Sequence, residues 1–320
     1  MSKTSSDAHI ARRLRFRHLQ VFFAVAECGG MAKAAAQLGI TQPAVSDIIG
    51  GIENAFGVRL FERTPLGVEL TIYGRALLKR GIAAFDELMQ GIRDIEFLAD
   101  PTVGEVRVGC PESMSGAILP SLVQQFCLEY PRVTLSVDPL PTPTLELPDL
   151  HARKLDLVVT RLSMPRAQDP FGADVNVEVL FYDQPVLAVG ANSRWARRRK
   201  IDLSELVDES WVATPPETLP TMAMEQAFKA SNLPRPRIRV TTFSLQLRMQ
   251  LLATGNFLTA MPRSLLRLNV DGIRLKALPI KLPVRSFPVA VVTLKNRTPS
   301  PLVQLFLERL RTFAKENAFS

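Results

Sequence analysis

The chain has 320 residues, 47% of them hydrophobic and 22% charged, which leaves ample material for the cores of two or three globular domains. Its net charge of +8 permits nucleic-acid binding without requiring it, and residues 1–97 carry only 12 Lys plus Arg against 10 Asp plus Glu, so most of the basic excess lies further on. No stretch approaches the roughly 18 uncharged apolar residues of a membrane span, Cys28, Cys110 and Cys127 are too scattered for a disulfide framework or a zinc site, and His9, His18 and His151 are isolated, so neither a metal centre nor a hydrolytic triad is expected.

The opening MSKTSSDAHIARRLRFRHLQ is basic, with Arg12, Arg13, Arg15 and Arg17 clustered, but has no apolar run before a cleavage site; a soluble, cytoplasmic protein in a reducing compartment is expected. From Phe16 to Ala26 the residues Phe16, Leu19, Phe23 and Ala26 fall on one stripe, broadened by Val21, Phe22 and Val25, which predicts a mostly buried amphipathic helix. Gly29-Gly30 stops it. MAKAAAQL (31–38) favours a second helix ended by Gly39, and Thr41 is placed to cap a third, with Pro43 tolerated in its first turn. Two short helices joined by GIT make a helix-turn-helix. On the later helix Val45, Ile48, Ile49, Ile52 and Phe56 form the inner face, leaving Gln42, Pro43, Ser46, Asp47 and Gly50 outside, where a DNA groove would meet them.

LFERTPLGVEL (60–70) has turn chemistry between two short apolar segments and predicts a hairpin or wing. From Thr71 to about Phe97 one long helix is expected, with Leu78, Ile82, Phe85, Met89 and Ile92 spaced 4, 3, 4, 3; that spacing suits either a core-facing helix or an intermolecular coiled-coil seam, and the dimeric habit of such DNA-reading domains favours the seam. Asp100-Pro101 marks a boundary. Beyond it strands are expected at 106–109, 133–137, 155–160, 186–189, 238–240 and 289–293, with helical stretches at 117–130, 222–231 and 245–254. This alternation implies a mostly parallel, doubly wound α/β fold, divided into two lobes because about 220 residues is large for one sheet.

The run GGMAKAAAQLGITQPAVSDIIGGIENAFGVRLFERTPLGVELTIYGRALL resembles the N-terminal domain of LysR-type transcriptional regulators, through its Ala-rich first helix, the TQPAVS start of the recognition helix, and LFER followed by a wing and Leu70-Thr71. The likeness is detailed over residues 16–80; beyond them only the order of elements follows, with LDLVVTR as a third strand and WVATPPETLP opening a strand and helix of the second lobe. The resemblance implies a winged helix-turn-helix over 14–70, a linker and dimerisation helix over 71–98, and an effector domain over 102–320 like a periplasmic binding protein. Lobe I would hold 102–165 and 285–320, lobe II 166–284. It also implies a homodimer or homotetramer joined through the linker helix and effector domain, bound to an imperfect palindrome in double-stranded DNA, with RNA polymerase as a further partner. A small-molecule effector would sit between the lobes. No enzyme activity, cofactor or metal is implied. Asp47 and Gly50-Gly51 stand where the family often has basic or polar residues, Leu66 where the wing often has Arg, and Arg153 where a helix usually ends on Gly.

Within this frame Gln42 is the base reader, since its amide can pair with adenine N6 and N7 for about 1–3 kcal/mol of discrimination, with Ser46 one turn on and Asp47 able to accept from cytosine. Thr41 and Pro43 lie beside them, while Arg63 and Arg75, with Arg15 or Arg17, would clamp phosphates. Glu53 is expected to pair within the domain, and Arg59 to form a structural ion pair. In the effector domain a ligand should lie outside the carboxyl ends of the strands, which offer Ser113, Thr142, Thr160, Arg161, Thr214 and Ser244. Hydroxyls plus one Arg point to a small carboxylate. Alternatives are a thiol-responsive regulator using Cys110 and, in a different class, a solute-binding protein; RWARRRK (194–200) reads as a solvated loop and PLPTPTLELP as a stiff Pro-rich connection.

Overall fold

A computed structural model describes residues 14–65, 67–140, 147–162, 171–267 and 272–316. The chain divides after Gly91 into two compact units. In the first, α1 (Phe16–Cys28), α2 (Met31–Leu38) and α3 (Gln42–Phe56) are followed by the two-stranded wing β1 (Phe61–Thr64) and β2 (Gly67–Leu70), and α4 (Ile72–Ala99) runs on beyond Gly91. Local chemistry explains the breaks. Thr41 Oγ1 accepts from the Ala44 N–H at the start of α3, and Gly39 and Gly57, at φ +65° and +69°, take the left-handed conformation that closes α2 and α3.

Phe22, Val25, Ala34, Ala35, Val45, Ile49, Ile52, Leu60 and Phe61 make the core of this unit, with Ile48 and Phe56 half-buried at its margin. The wing is tied to the α1–α2 turn by the Val68 N–H, which donates to the Gly29 carbonyl at 2.9 Å. Thr71 caps α4: its hydroxyl accepts from Gly74 N–H and donates to the Arg59 carbonyl. Gly74 lies so close to the wing that a Cβ there would stand 2.1 Å from the Leu60 carbonyl oxygen.

Two positions of the expected seam are used inside the unit. Phe85 stacks on Phe16 and Phe23 of α1 at centroid distances of 6.2 and 6.1 Å, and Leu78 packs against the helical core. Further along α4 the expected seam residue Ile92 is exposed, together with Leu88, Ile95 and Leu98, which the expected seam did not include. The spacing could not say which side of the helix α1 would cover.

The second unit holds two mixed five-stranded sheets. Lobe I contains β3 (Val103–Cys110), the one-turn α5 (Glu112–Ser115), α6 (Leu119–Glu129), β4 (Arg132–Pro139), the one-turn α7 (Pro148–His151), β5 (Leu157–Arg161) and β6 (Val175–Asp183). Lobe II contains β7 (Pro185–Gly190), β8 (Trp211–Ala213), α8 (Leu219–Ala230), β9 (Ile238–Thr241), α9 (Leu245–Ala253), β10 (Leu258–Pro262) and β11 (Leu275–Ala277); β12 (Phe287–Leu294) and α10 (Pro301–Glu316) return to lobe I. The strand orders are β4-β3-β5-β12-β6 and β11-β7-β10-β8-β9.

Period-two alternation covers both faces of each sheet. In lobe I, Leu157, Val159, Val289 and Val291 face α6 and α10, while Val158, Ala290 and Val292 pack with Leu150 and Leu155 on the other side. In lobe II, Leu187 and Val189 pack with Trp211 and with Met224 and Phe228 of α8; Val186, Ala188 and Val212 pack with Leu245, Met249 and Leu252 of α9. The sheets are less parallel than alternating β and α suggested, because β7–β10, β7–β11, β5–β12 and β6–β12 pair antiparallel. The lobe boundary expected at 165/166 also moves. Strand β6, absent from the strands expected above, pairs along its length with β12, so lobe I extends to Asp183 and the chain crosses at Gln184. Arg153, standing where a helix-ending glycine was expected, has φ +60° and donates from Nη2 to the Asn296 carbonyl at 2.6 Å. The RWARRRK segment is not simply solvated: Trp195 and Ala196 are buried in the lobe II core, with the Arg194 guanidinium 5.0 Å above the indole.

Candidate functional site

The recognition-helix candidates share one surface. Thr41, Gln42, Pro43, Ser46 and Asp47 are all exposed on α3, while Val45, Ile49 and Ile52 on the opposite side are 0–3% exposed. An amide, a hydroxyl and a carboxylate are therefore free to meet base edges, and none of them is spent on the core. Glu53 behaves as expected: its Oε1 accepts from the Leu60 N–H at 2.7 Å and the Phe61 N–H at 3.2 Å, fixing the start of the wing on the recognition helix. Arg63 is exposed on β1, as are Arg15 and Arg17 at the start of α1. Arg75 is exposed as well and donates from Nη1 to the Leu70 carbonyl at 2.7 Å. Arg59, expected to form an ion pair, forms none among the described residues. It is exposed and lines an open concavity with Glu62, Glu69, Arg75 and Leu70–Tyr73, while Glu53 is committed to backbone amides.

Between the lobes the structure assembles a polar junction from distant parts of the chain. Arg161, at the end of β5, donates from Nη1 to Ser113 Oγ at 3.1 Å, from Nη2 to Ser264 Oγ at 2.9 Å, and from Nε and Nη2 to Asp183 Oδ2 at 3.2 and 2.9 Å. Ser264, beyond β10, donates from its N–H and hydroxyl to the same carboxylate at 3.1 and 2.6 Å. The Arg161 side chain is 8% exposed and Asp183 is fully buried. Burial pulls the Arg161 guanidinium below its ordinary value, and Asp183 opposes that shift by stabilising the charge.

Of the expected effector contacts, Ser113 and Arg161 therefore meet, but Arg161 arrives with its donors already engaged. Ser244 caps α9, its hydroxyl accepting from the Leu247 N–H at 3.2 Å, and at the next residue the Leu245 N–H donates to Glu112 Oε2 of lobe I at 3.3 Å. Thr160 is half-buried on β5 with no hydroxyl bond among the described residues. Thr214 is spent within lobe II: its hydroxyl bonds those of Thr218 and Thr221, which hold the start of α8. Thr142 lies outside the described residues.

Sequence reasoning missed Asp183, Ser264, Glu112 and Arg248. For Arg248 a signal existed, since it stands among Leu245, Met249 and Leu252 at the i+3 position of the apolar face of α9. It is 3% exposed, and its Nε and Nη1 have no hydrogen-bond partner among the described residues. Burial pulls its guanidinium down to about 10, with the Arg161 charge adding to the shift and Glu112 opposing it. The arginine keeps its charge at neutral pH.

Cys110 is fully buried in the lobe I core, and burial pushes its thiol up to about 11. A redox-sensing thiol needs the opposite environment, exposed and with a lowered value.

Family comparisons agree with this two-part architecture. Residues 16–75 match the bacterial regulatory helix-turn-helix protein model of the lysR family, and residues 99–315 match the LysR substrate binding domain. The chain belongs to the LysR family of transcriptional regulators. This LysR-type protein is 27% identical over 301 residues to the Escherichia coli K12 HTH-type transcriptional regulator YdcI, covering 94% of this chain and 96% of that one. It is 30% identical over 253 residues to TdcA of the same organism, covering 77% and 76%. Among solved structures, a full-length OxyR variant from Pseudomonas aeruginosa superposes with a TM-score of 0.64 at 20% identity, covering 94% of this chain and 95% of that one. Full-length CbnR complexed with its target DNA superposes with 0.63 at 24%, covering 94% and 100%. At these identities the two structures bear on the fold alone. No helix among the described residues is long and apolar enough to cross a membrane.

Proposed function

We propose that this LysR-type regulator reads an imperfect palindrome through the exposed face of α3 and that a small carboxylate held between the lobes of its effector domain controls it. The observation that carries the effector half is the junction of Ser113, Arg161, Asp183 and Ser264, which brings strand ends of lobe I against a buried serine of lobe II. A ligand that prefers one arrangement of that junction shifts the lobes by its differential affinity, and only by that much. For DNA, Gln42 and Ser46 are the base readers, while Arg63 and Arg75 position the backbone. CbnR, which shares the fold, was solved on its target DNA, and α3 here carries a polar face free of core contacts. Leu88, Ile92, Ile95 and Leu98, exposed on α4, support assembly into dimers and, through the effector domain, tetramers.

The test is gel retardation of promoter fragments adjoining the gene, with and without a panel of small carboxylates. Specific retardation that an acid alters is expected, and no specific retardation on any fragment would refute the reading. Gln42→Ala should relax sequence preference by about 1–3 kcal/mol, and Arg63→Ala should lower the salt slope by about one unit with preference unchanged. The reverse pattern would mean that another face of α3 meets DNA.

A further inference from the structure

We propose that Arg248 is the acid anchor of the inter-lobe site: the carboxylate of a singly charged organic acid sits against its free Nε and Nη1, in place of the hold that Glu112 has on the start of α9. The proposal rests on the effector reading above and deepens it. Three observations converge. First, Arg248 is a lobe II residue, 3% exposed, with two of its guanidinium nitrogens lacking any hydrogen-bond partner among the described residues. Buried donors are almost always satisfied, so two free ones on a single cation mark a place for an acceptor that arrives from outside.

Second, its position is between the lobes. The charges it feels belong to Glu112 and Arg161, both of lobe I, and Ala117 of lobe I packs against the cluster that contains Leu245 and Met249, the α9 neighbours of Arg248. Third, the charges there leave one cation short of a buried counter-ion. Arg161 is matched by Asp183, whereas the acid opposing Arg248 is Glu112, which is exposed and spends Oε2 on the Leu245 N–H at 3.3 Å. One unmatched cation calls for one negative charge, which favours a monocarboxylate.

Glu112 then acts as an internal stand-in for the ligand. Its carboxylate occupies the first amide of α9 and tempers the Arg248 charge when the site is empty, and an incoming acid does both more closely. Because Glu112 is in lobe I and α9 in lobe II, that exchange releases a contact between the lobes.

The test uses the full-length protein and thermal unfolding followed by tryptophan fluorescence, with titrations of sodium acetate and sodium benzoate against acetamide, benzamide and matched sodium chloride. At least one acid is expected to raise the midpoint saturably, while the amides and chloride do not. Arg248→Met should melt above the wild type without acid, since it removes a buried charge and its two unsatisfied donors, and should weaken the acid's apparent Kd tenfold or more. Glu112→Gln, which keeps the hydrogen bond to α9 but removes the competing charge, should tighten that Kd. A wild type that answers amides or chloride as well as acids, or answers none of them, overturns the proposal. So does an Arg248→Met protein that melts below the wild type or keeps its apparent Kd within twofold. These readings need no operator, so failure of DNA recognition shows separately, as loss of specific retardation by the wild type.

Discussion

Replacing Asp183 with Ala removes the acceptor of four hydrogen bonds from a fully buried carboxylate: two from Arg161 at 2.9 and 3.2 Å, and two from Ser264 at 2.6 and 3.1 Å. Arg161, 8% exposed, is then left charged with no counter-ion, and the Ser264 N–H and hydroxyl lose their partner. Breaking a buried pair from one side costs about 3–5 kcal/mol, whereas replacing both members by apolar residues is often close to neutral. The readout is selective, because both tryptophans, Trp195 and Trp211, lie in the lobe II core. With a urea m-value of about 2–3 kcal/mol/M for a domain of this size, the fluorescence midpoint of Asp183→Ala should fall by about 1–2 M. Arg161→Met combined with Asp183→Leu should recover most of that loss. A single variant within about 0.3 M of the wild type, well under the shift expected from the m-value, would refute the view that this pair holds the junction. A double variant as unstable as the single one would show that the loss came from packing rather than from the stranded charge.

Glu53→Ala should destabilise the DNA-binding unit by about 2–4 kcal/mol, since two charge-assisted bonds to the Leu60 and Phe61 amides go at once; unchanged hydrogen-exchange protection at those amides would contradict it. Gly74→Ala drives a methyl group to 2.1 Å from the Leu60 carbonyl oxygen and 2.8 Å from Leu70 Cδ2, so the wing must shift at a cost of about 1–3 kcal/mol or more, read as lost helicity on heating; a wild-type melting curve would show that the close approach is dispensable. Cys110, its thiol pushed up to about 11 by burial, should resist iodoacetamide at pH 8 while the half-buried Cys28 and Cys127 react, with mass spectrometry as the check. Its folded value lies above the ~8.5 of an unfolded thiol, so the associated stability is fully present below that pH and is lost as pH rises toward 11, by at most about 1.4 kcal/mol per pH unit. Stability that rises through this range would reverse the sign and contradict a buried neutral thiol.

The helix-turn-helix was legible from residues 16–71 because its signals are local. Thr41 caps the helix that follows it, Gly39 and Gly57 close the helices before them, and the 3.6-residue period of Val45, Ile49 and Ile52 marks the inward face, which leaves Gln42 and Ser46 outside by subtraction. Most strands of the effector domain were legible for a similar reason, since runs such as Leu157–Val159 are buried on both faces and need no partner to be recognised. What only the tertiary structure decided is which distant groups meet. Arg161 and Asp183 are 22 residues apart, Asp183 and Ser264 are 81, and nothing local in any of them encodes the other two. Strand β6 was hidden because its burial comes from pairing with β12, more than 100 residues later, and with it went the true crossing point between the lobes. The side of α4 covered by α1 likewise depends on Phe85 finding Phe16 and Phe23. Arg248 lies between the two cases: its place on the apolar face of α9 could be read from spacing, but that two of its buried donors would have no hydrogen-bond partner among the described residues could be known only once its neighbours were in place. Short-range chemistry writes itself into adjacent residues, while the hydrogen bonds of Arg161 to serines 48 and 103 residues away are settled only when the sheets bring their strand ends together.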